Sequence, residues 1–243
     1  MTEHESPYAR RTILKYTLTS RHLGTERSIR IFIPPGYNEL VSHSIMYCQD
    51  GEEMFNFGRI ATHATKLILD EGFDPFLIVG VDADLPRRTA EYSPEGDRFE
   101  SYIRFFVEEM LPFAESQLSV RQDHRIVVGD SLGGTVSLHL SLEVPDLIQK
   151  VVSLSGAFLQ SSVEAVKKRE RLDRLKMAQV IGTEETAVQT ARGTFDFVSW
   201  NRLMRKTLEQ RGANVRYAEK PGKHLWGFWQ RELPDALRWI LAD

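Results

Sequence analysis

The pattern of apolar and polar positions changes near residue 44 of the chain. Before it, residues 12–20 alternate apolar and polar side chains, and residues 28–37 (SIRIFIPPGY) form a second extended stretch that a Pro-Pro-Gly sequence ends. This pattern predicts an antiparallel hairpin. After it come mostly continuous apolar runs, which are typical of strands buried on both faces. They cover residues 44–50, 75–82, 124–130, 150–156 and 177–182, and a further strand is predicted over 215–222.

Between these runs the apolar residues recur with helical spacing. Helices are predicted over residues 55–71, 98–118, 131–143, 161–175, 198–211 and, as an amphipathic closing helix, 228–242. Strands that alternate with helices through short connections predict a mainly parallel sheet with helices on both faces. We therefore expect residues 1–243 to form a single α/β domain that binds its ligand at the carboxyl ends of the strands.

Charge and composition exclude several classes of function. With 31 Lys and Arg against 34 Asp and Glu, the net charge is −3, so no overall field attracts nucleic acid or an anionic membrane. The most basic stretch, residues 166–177, interleaves acidic residues and is interpreted as a solvated helix face. No apolar run approaches the roughly 18 residues of a membrane span, and the first residues show no apolar core of a signal peptide. We expect a cytoplasmic protein.

Cysteine content narrows the chemistry further. Cys48 is the single cysteine of the chain, which excludes an internal disulfide and a multi-cysteine metal site. It lies in an apolar run and is interpreted as a buried structural thiol rather than a nucleophile.

The strongest chemical signal lies where the strand 124–130 meets the helix 131–143. Residues 129–133 (GDSLG) satisfy the G-x-S-x-G pattern of a nucleophile elbow, with Gly134 following. Glycines on both sides of Ser131 allow a strand-to-helix turn too tight for side chains, and this turn exposes the serine hydroxyl at the positive end of the helix dipole. A phosphate-binding loop is the alternative, but the Lys of a Walker motif and the glycine spacing of a dinucleotide fingerprint are missing.

A serine hydroxyl becomes a nucleophile only when a base takes its proton. In a fold of this kind the partners follow in the order Ser, Asp or Glu, His, and the single histidine after residue 139 is His224, in the loop after the last strand. The other histidines, including His4 and His139, are interpreted as surface or packing residues.

The acid is expected on the loop after the strand 177–182. Glu184 and Glu185 come directly off the strand end, and Asp196 lies further along the loop. We favour Glu185 as the carboxylate that orients the imidazole, with Glu184 and Asp196 as alternatives.

An oxyanion hole combines the N–H of the residue after the nucleophile with an N–H from the loop after an early strand. The first donor is then Leu132, and the loop CQDGEEMF (48–55) supplies the second through the amide of Gly51 or Glu52, although a plain turn is an alternative there.

These residues resemble those of the putative esterase family of α/β-hydrolases, which includes siderophore esterases, feruloyl esterases and S-formylglutathione hydrolases. The resemblance spans nearly the whole chain. The similar stretches are RSIRIFIPPGY (27–37), QDGEE (49–53), RRTAEY (87–92), FVEEMLPFAES (106–116), GDSLGG (129–134), GTEE (182–185) and GKHLWGFWQRELPDAL (222–237). The resemblance implies an α/β-hydrolase fold and Glu185 as the acid, the fourth residue of a G-T-x-[DE] stretch. The family usually has a polar residue after its histidine, whereas Leu225 follows His224, a departure that affects the pocket.

Several aromatic and charged residues near this end of the sheet have two interpretations. Arg88 either faces a substrate or forms an internal ion pair with Glu91, and we favour the pair. Tyr92 and Trp200 are possible pocket residues, and Trp226 and Trp229 either line a pocket or pack the last helix.

The sequence therefore predicts a serine esterase that forms an acyl-enzyme on a small ester, with a siderophore-type lactone as a narrower candidate. No metal or organic cofactor is expected, and the oligomeric state is open. The alternatives are an acyltransferase or thioesterase with the same residues, and a non-catalytic binding protein of hydrolase fold.

Overall fold

One eight-stranded sheet organises the chain. The structure is a computed structural model that describes residues 11–242. The strands of this sheet are β1 Thr12–Ser20, β2 Thr25–Ile33, β3 His43–Cys48, β4 Phe76–Val81, β5 Val120–Asp130, β6 Lys150–Leu154, β7 Lys176–Gly182 and β10 Asn214–Lys220. Their order across the sheet is β1-β2-β4-β3-β5-β6-β7-β10. Strand β2 is antiparallel to both β1 and β4, and the six strands β4, β3, β5, β6, β7 and β10 run parallel to one another.

A separate two-stranded hairpin, β8 Val188–Thr190 with β9 Gly193–Phe195, leaves the chain between β7 and the next helix. The helices are α1 Gly51–Asn56, α2 Ile60–Leu69, α3 Arg88–Tyr92, α4 Phe99–Arg104, α5 Leu111–Ser116, α6 Leu132–Glu143, α7 Gln160–Lys167, α8 Phe197–Gln210 and α9 Trp226–Leu241. A π-helical segment, Phe105–Met110, joins α4 to α5 without a break.

Helices cover both faces of the sheet and bury its strands. Side chains of α3 to α8 form the core on one face, and those of α1, α2 and α9 form the core on the other. Strand β4 is buried at every position, which is why its sequence, FLIVGV, does not alternate. Among the helices of residues 11–242, none has both the length and the apolar composition that crossing a bilayer requires.

The predicted sheet and the N-terminal hairpin are confirmed, and three helix predictions need correction. The predicted helix 55–71 is two helices, because Arg59 adopts a left-handed conformation (φ 50°) between α1 and α2. The predicted helix 161–175 ends at Lys167, and the following residues are irregular, so the basic stretch 166–177 is not a helix face. The predicted helix 131–143 instead begins at Leu132.

Cys48 has no exposed surface, as expected for a structural thiol, and burial raises the pKa of its thiol. The first residues, in which no signal peptide was recognised, lie with His4 outside the described part of the chain.

Candidate active site

Ser131 lies at a sharp turn between β5 and α6. Its φ of 51° and ψ of −120° are costly for a residue with a side chain. The turn brings the two flanking glycines together, since a Cβ atom on Gly129 would lie 2.2 Å from the carbonyl carbon of Gly133. Only glycine fits at position 129, and the resulting geometry holds the serine above the end of the sheet.

His224 and Glu185 come from distant segments to the same end of the sheet. His224 follows β10, and its Nε2 lies 2.9 Å from Ser131 Oγ. On the other side of the ring, Nδ1 lies 2.6 Å from Glu185 Oε2. With its proton on Nδ1, the imidazole donates to Glu185 and accepts from the serine hydroxyl. The side chain of Glu185 is fully buried, whereas that of His224 is 15% exposed.

The two alternative acids make other contacts. Asp196 caps α8, where its carboxylate accepts hydrogen bonds from the backbone N–H and the hydroxyl of Ser199. Glu184 has a side chain that is 55% exposed, 3.8 Å from the ammonium group of Lys223. The imidazole of His224 is therefore within hydrogen-bond distance of Glu185, the acid that the sequence analysis favoured.

Besides the imidazole of His224, two other donors bind the carboxylate of Glu185. Its Oε1 accepts hydrogen bonds from the backbone N–H of Gly182 (2.9 Å) and from the hydroxyl of Ser155 (2.6 Å). Ser155 Oγ in turn accepts a hydrogen bond of 2.8 Å from the indole N–H of Trp229. Sequence analysis missed Ser155, although its place directly after the buried strand β6 is a signal that could have found it.

The loop after β3 packs beside the turn that holds the serine. A Cβ atom on Gly133 would lie 2.8 Å from Asp50 Oδ2, so this loop and the start of α6 touch. Leu132 begins α6, and Gly51 and Glu52 begin α1. The N–H groups in the first turn of a helix have no acceptor within that helix and are free to bind an oxyanion. Their roles as donors stay predictions.

The predicted ion pair between Arg88 and Glu91 is wrong. Arg88 forms a two-pronged ion pair with Asp50, with hydrogen bonds of 2.6 and 2.7 Å. Glu91 is buried and instead accepts hydrogen bonds from Arg27 and Arg98. Both residues instead take partners from other segments.

Asp130 is a buried carboxyl group beside this ion pair. Its Oδ2 lies 3.9 Å from the Arg88 guanidinium, and its Oδ1 has no hydrogen-bond partner among residues 11–242. Burial, and after it the charge of Asp50, raises the pKa of Asp130 to about 8. Burial therefore favours the protonated, neutral form of the carboxyl group next to Ser131.

A cavity of about 190 Å³ opens at Ser131. Apolar residues from three segments form much of its wall, and the hairpin β8–β9 closes one side. Its lining comprises Arg88, Thr89, Ser131, Leu132, Ala157, Leu159, Thr190, Ala191, Arg192, Phe195 and Phe197.

A mainly parallel sheet with helices on both faces and a serine at a strand-to-helix turn defines the chain as a protein of the α/β-hydrolase fold. Residues 20–240 match the family described as "Putative esterase". The chain belongs to this family, and membership supports carboxylic ester hydrolysis as its reaction.

Three similar proteins illustrate the range of the likeness. The uncharacterized protein YjcH of Bacillus subtilis (strain 168) is 32% identical over 234 residues, 95% of this chain and 98% of YjcH. The structure of a ferulic acid esterase superimposes with a TM-score of 0.80 at 17% identity, over 96% of this chain and 98% of that one. The enterobactin esterase FES from Shigella flexneri gives a TM-score of 0.80 at 20% identity, over 94% of this chain and 59% of that one.

The raised pKa of Asp130 predicts a specific dependence of stability on pH. Between about pH 4 and pH 8 the folded protein keeps a proton on Asp130 that the unfolded chain has lost, so this group lowers the free energy of unfolding as pH rises. Asp130→Asn removes this titration. We expect the variant to gain stability relative to the parent protein from pH 5 to pH 8, by at most about 1.4 kcal/mol per pH unit. Urea unfolding of both proteins at pH 5 and at pH 8 measures this difference in the free energy of unfolding.

Asp173→Asn is the matched control, because Asp173 is exposed and its ion pair with Arg171 lowers the pKa of its carboxyl group. The carboxyl group of Asp173 titrates below pH 5. Asp173→Asn should therefore leave the change in the free energy of unfolding between pH 5 and pH 8 as it is in the parent protein. An equal pH dependence in Asp130→Asn and the parent protein would contradict a neutral Asp130.

Proposed function

We propose that the protein is a serine carboxylic-ester hydrolase in which Ser131 is the nucleophile, His224 the general base and Glu185 the acid that orients it. The observation that carries the proposal is the continuous line of contacts from Ser131 Oγ through His224 to the buried carboxylate of Glu185, at 2.9 and 2.6 Å. Residues 1–243 act as one domain in this proposal, and a cytoplasmic location stays a prediction.

In the first half-reaction, Ser131 Oγ attacks the ester carbonyl carbon while its proton passes to His224 Nε2. The carbonyl π electrons move to the oxygen, which becomes an oxyanion. When this intermediate collapses, the bond to the leaving oxygen breaks and the proton on Nε2 goes to the departing alcohol. The acyl group is then attached to Ser131, and Glu185 stabilises the imidazolium that forms between these steps.

In the second half-reaction, a water molecule gives one proton to His224 Nε2 and adds to the acyl carbon. Collapse of the second oxyanion breaks the bond to Ser131 Oγ, which takes the proton back. The products are the alcohol, the carboxylic acid and the free enzyme. Backbone N–H groups of Leu132 and of Gly51 or Glu52 bind both oxyanions in this scheme, supported by the contact between residues 50 and 133.

The cavity at Ser131 supports a small acyl group as the part of the substrate that the enzyme selects. The acyl group is the part that becomes attached to Ser131 Oγ, and the cavity of about 190 Å³ opens at this serine. Leu132, Ala157 and Leu159 give it an apolar wall, and Phe195 and Phe197 add two nearly parallel rings. A siderophore-type lactone is the narrower candidate, supported by the likeness to the enterobactin esterase.

A fluorophosphonate probe tests the nucleophile. We expect one covalent adduct on Ser131, found by peptide mass spectrometry, because the probe reacts with an activated serine hydroxyl. Labelling is lost in Ser131→Ala and falls at least about 100-fold in rate in His224→Ala, which lacks the base.

His22→Ala is the control for this experiment, since His22 pairs with Glu108 on another part of the surface. It should label at the rate of the parent protein. A folded parent protein that does not react would favour the alternative of a non-catalytic binding protein.

Two neighbouring glutamates allow a matched test of the acid. Glu185→Gln keeps the shape of the side chain and removes the charge that stabilises the imidazolium, so kcat should fall about 10³- to 10⁴-fold. Glu184→Gln, one residue earlier and exposed, should stay within about two-fold of the parent value. Steady-state hydrolysis of p-nitrophenyl acetate measures both, and an equal loss in the two variants would reject Glu185 as the acid.

A series of p-nitrophenyl esters tests the cavity, because the leaving group stays constant while the acyl group grows. We expect kcat/KM to be highest for short aliphatic or single-ring acyl groups and to fall for long chains. Phe195→Ala opens the wall at β9 and should raise the relative kcat/KM of the longer esters. An unchanged acyl preference in this variant would contradict the assignment of the cavity, and a catecholate lactone in the same panel tests the narrower substrate.

A further inference from the structure

Ser155 has an unusual conformation for a residue with a side chain. Its φ is 51°, in the left-handed region where glycine is the low-cost residue, and it has no exposed surface. The backbone is held there by a hydrogen bond of 2.7 Å from Ser155 N–H to the carbonyl of Val180 in the neighbouring strand. A side chain at such a position costs conformational energy, so its contacts have to offset that cost.

The hydroxyl group of Ser155 makes two directed contacts. It donates to Glu185 Oε1 at 2.6 Å, and its oxygen accepts the indole N–H of Trp229 at 2.8 Å. Because an indole N–H can only donate, it leaves the hydroxyl proton of Ser155 to point at the carboxylate. A carboxylate can only accept, so both neighbours favour the same direction of the hydroxyl, and the indole N–H of Trp229 holds the Ser155 oxygen in place.

Trp229 also contacts the imidazole. Its ring meets the ring of His224 edge to face, with centroids 5.0 Å apart, and Phe197 covers the imidazole at the same centroid distance. One tryptophan thus limits the tilt of His224 and, through Ser155, orients the carboxylate to which His224 is bound.

From this geometry we infer that Ser155 and Trp229 are positioning residues for the reaction, acting through Glu185. The inference rests on the proposed function of the same site. The hydroxyl of Ser155 and the backbone N–H of Gly182 both donate hydrogen bonds to Oε1 of Glu185. These two bonds stabilise the negative charge of the carboxylate and hold Oε2 in place for His224. Neither Ser155 nor Trp229 needs to touch the substrate to do this.

Removal of the hydroxyl should leave a distinct kinetic signature. In Ser155→Ala the carboxylate loses one donor, so more of its charge falls on the imidazolium and its orientation loosens. We expect kcat to fall about 10- to 100-fold, the range for one hydrogen bond to a charged group, with KM within about two-fold. The acid limb of the profile of kcat/KM against pH should move to higher pH, because the protonated base is held more strongly.

Two further variants separate the hydroxyl from the backbone. Ser155→Gly also lacks the hydroxyl, but glycine adopts a φ of 51° at little energetic cost. It should show the same loss of kcat, and the same shift of the acid limb of the pH profile, as Ser155→Ala. Ser153→Ala removes another buried hydroxyl from the same segment, one without a hydrogen-bond partner among residues 11–242, and should leave both quantities unchanged.

Trp229→Phe removes the indole N–H and keeps an aromatic ring. We expect a smaller loss of kcat, about 2- to 10-fold, since the hydroxyl still donates to Glu185 but its oxygen loses the N–H that holds it in place. In the double variant Ser155→Ala, Trp229→Phe, the losses should combine to less than their product, because both residues act through one carboxylate. The double variant should be more stable than Ser155→Ala, in which the buried indole N–H of Trp229 has no acceptor. Its kcat should nevertheless stay as low as that of Ser155→Ala.

The results that overturn the inference differ from those that overturn the proposed function. A parent protein that neither hydrolyses esters nor labels at Ser131 rejects the proposed function. With an active parent protein, the inference is wrong if Ser155→Gly keeps the parent kcat, or if kcat/KM of the Ser155 variants falls equally at every pH. If Ser155→Ala does not fold, Ser155→Gly and Trp229→Phe decide.

A proton NMR measurement tests the inference without turnover. A proton held between His224 Nδ1 and Glu185 should give a downfield resonance that is absent in His224→Ala. Loss of a donor to Glu185 should move this resonance in Ser155→Ala and Ser155→Gly but not in Ser153→Ala. An unmoved resonance in both Ser155 variants would overturn the inference whether or not the protein is an esterase.

Discussion

The close approach of Gly129 to Gly133 is the constraint on which the rest of the site depends. A turn this tight forces Ser131 into its strained conformation, starts α6 at Leu132 and brings Gly133 against Asp50 of the loop after β3. The close approach of these two glycines therefore brings together the hydroxyl of Ser131, the start of α6 and the loop that leads into α1. The surrounding core over-determines that feature, since α6 is buried from Gly133 to Leu142 and cannot relax outward.

Two buried carboxyl groups beside this turn show how surroundings assign charge. Glu185 is fully buried but faces the N–H of Gly182, the hydroxyl of Ser155 and the imidazole of His224. Three donors compensate an ionised carboxylate for the loss of water. Asp130 is also buried, but its Oδ1 lacks a partner among residues 11–242, and burial, with the charge of Asp50 after it, raises its pKa to about 8. The three donors thus stabilise a negative charge on Glu185, whereas the surroundings of Asp130 favour the neutral acid.

Local patterns were sufficient to predict the sheet, and they singled out Ser131, His224 and Glu185, which the structure brings within hydrogen-bond distance in a row. Buried parallel strands have continuous apolar runs, and the tight turn needs glycines at fixed spacing around Ser131, so both can be read from short stretches. Features that depend on distant partners could not be predicted this way. The break at Arg59, the pairing of Arg88 with Asp50 and the hydroxyl of Ser155 facing Glu185 are set by contacts between segments far apart in sequence.

The hairpin β8–β9, which the sequence did not reveal, lies between Glu185 and Phe197 in the chain and borders the cavity at Ser131. The chain leaves the site at Glu185 and returns at Phe197, whose N–H donates a hydrogen bond of 2.9 Å to the Glu185 carbonyl. This hydrogen bond closes the base of the loop that carries the hairpin and holds the backbone of Glu185 in place. The hairpin meanwhile forms one side of the cavity, and Arg192 near its tip pairs with Glu95. The entropy cost of closing a loop rises only slowly with its length, so a segment of this kind can tolerate changes in length and sequence. Such changes would alter the shape of the cavity and leave the carboxylate of Glu185 in place.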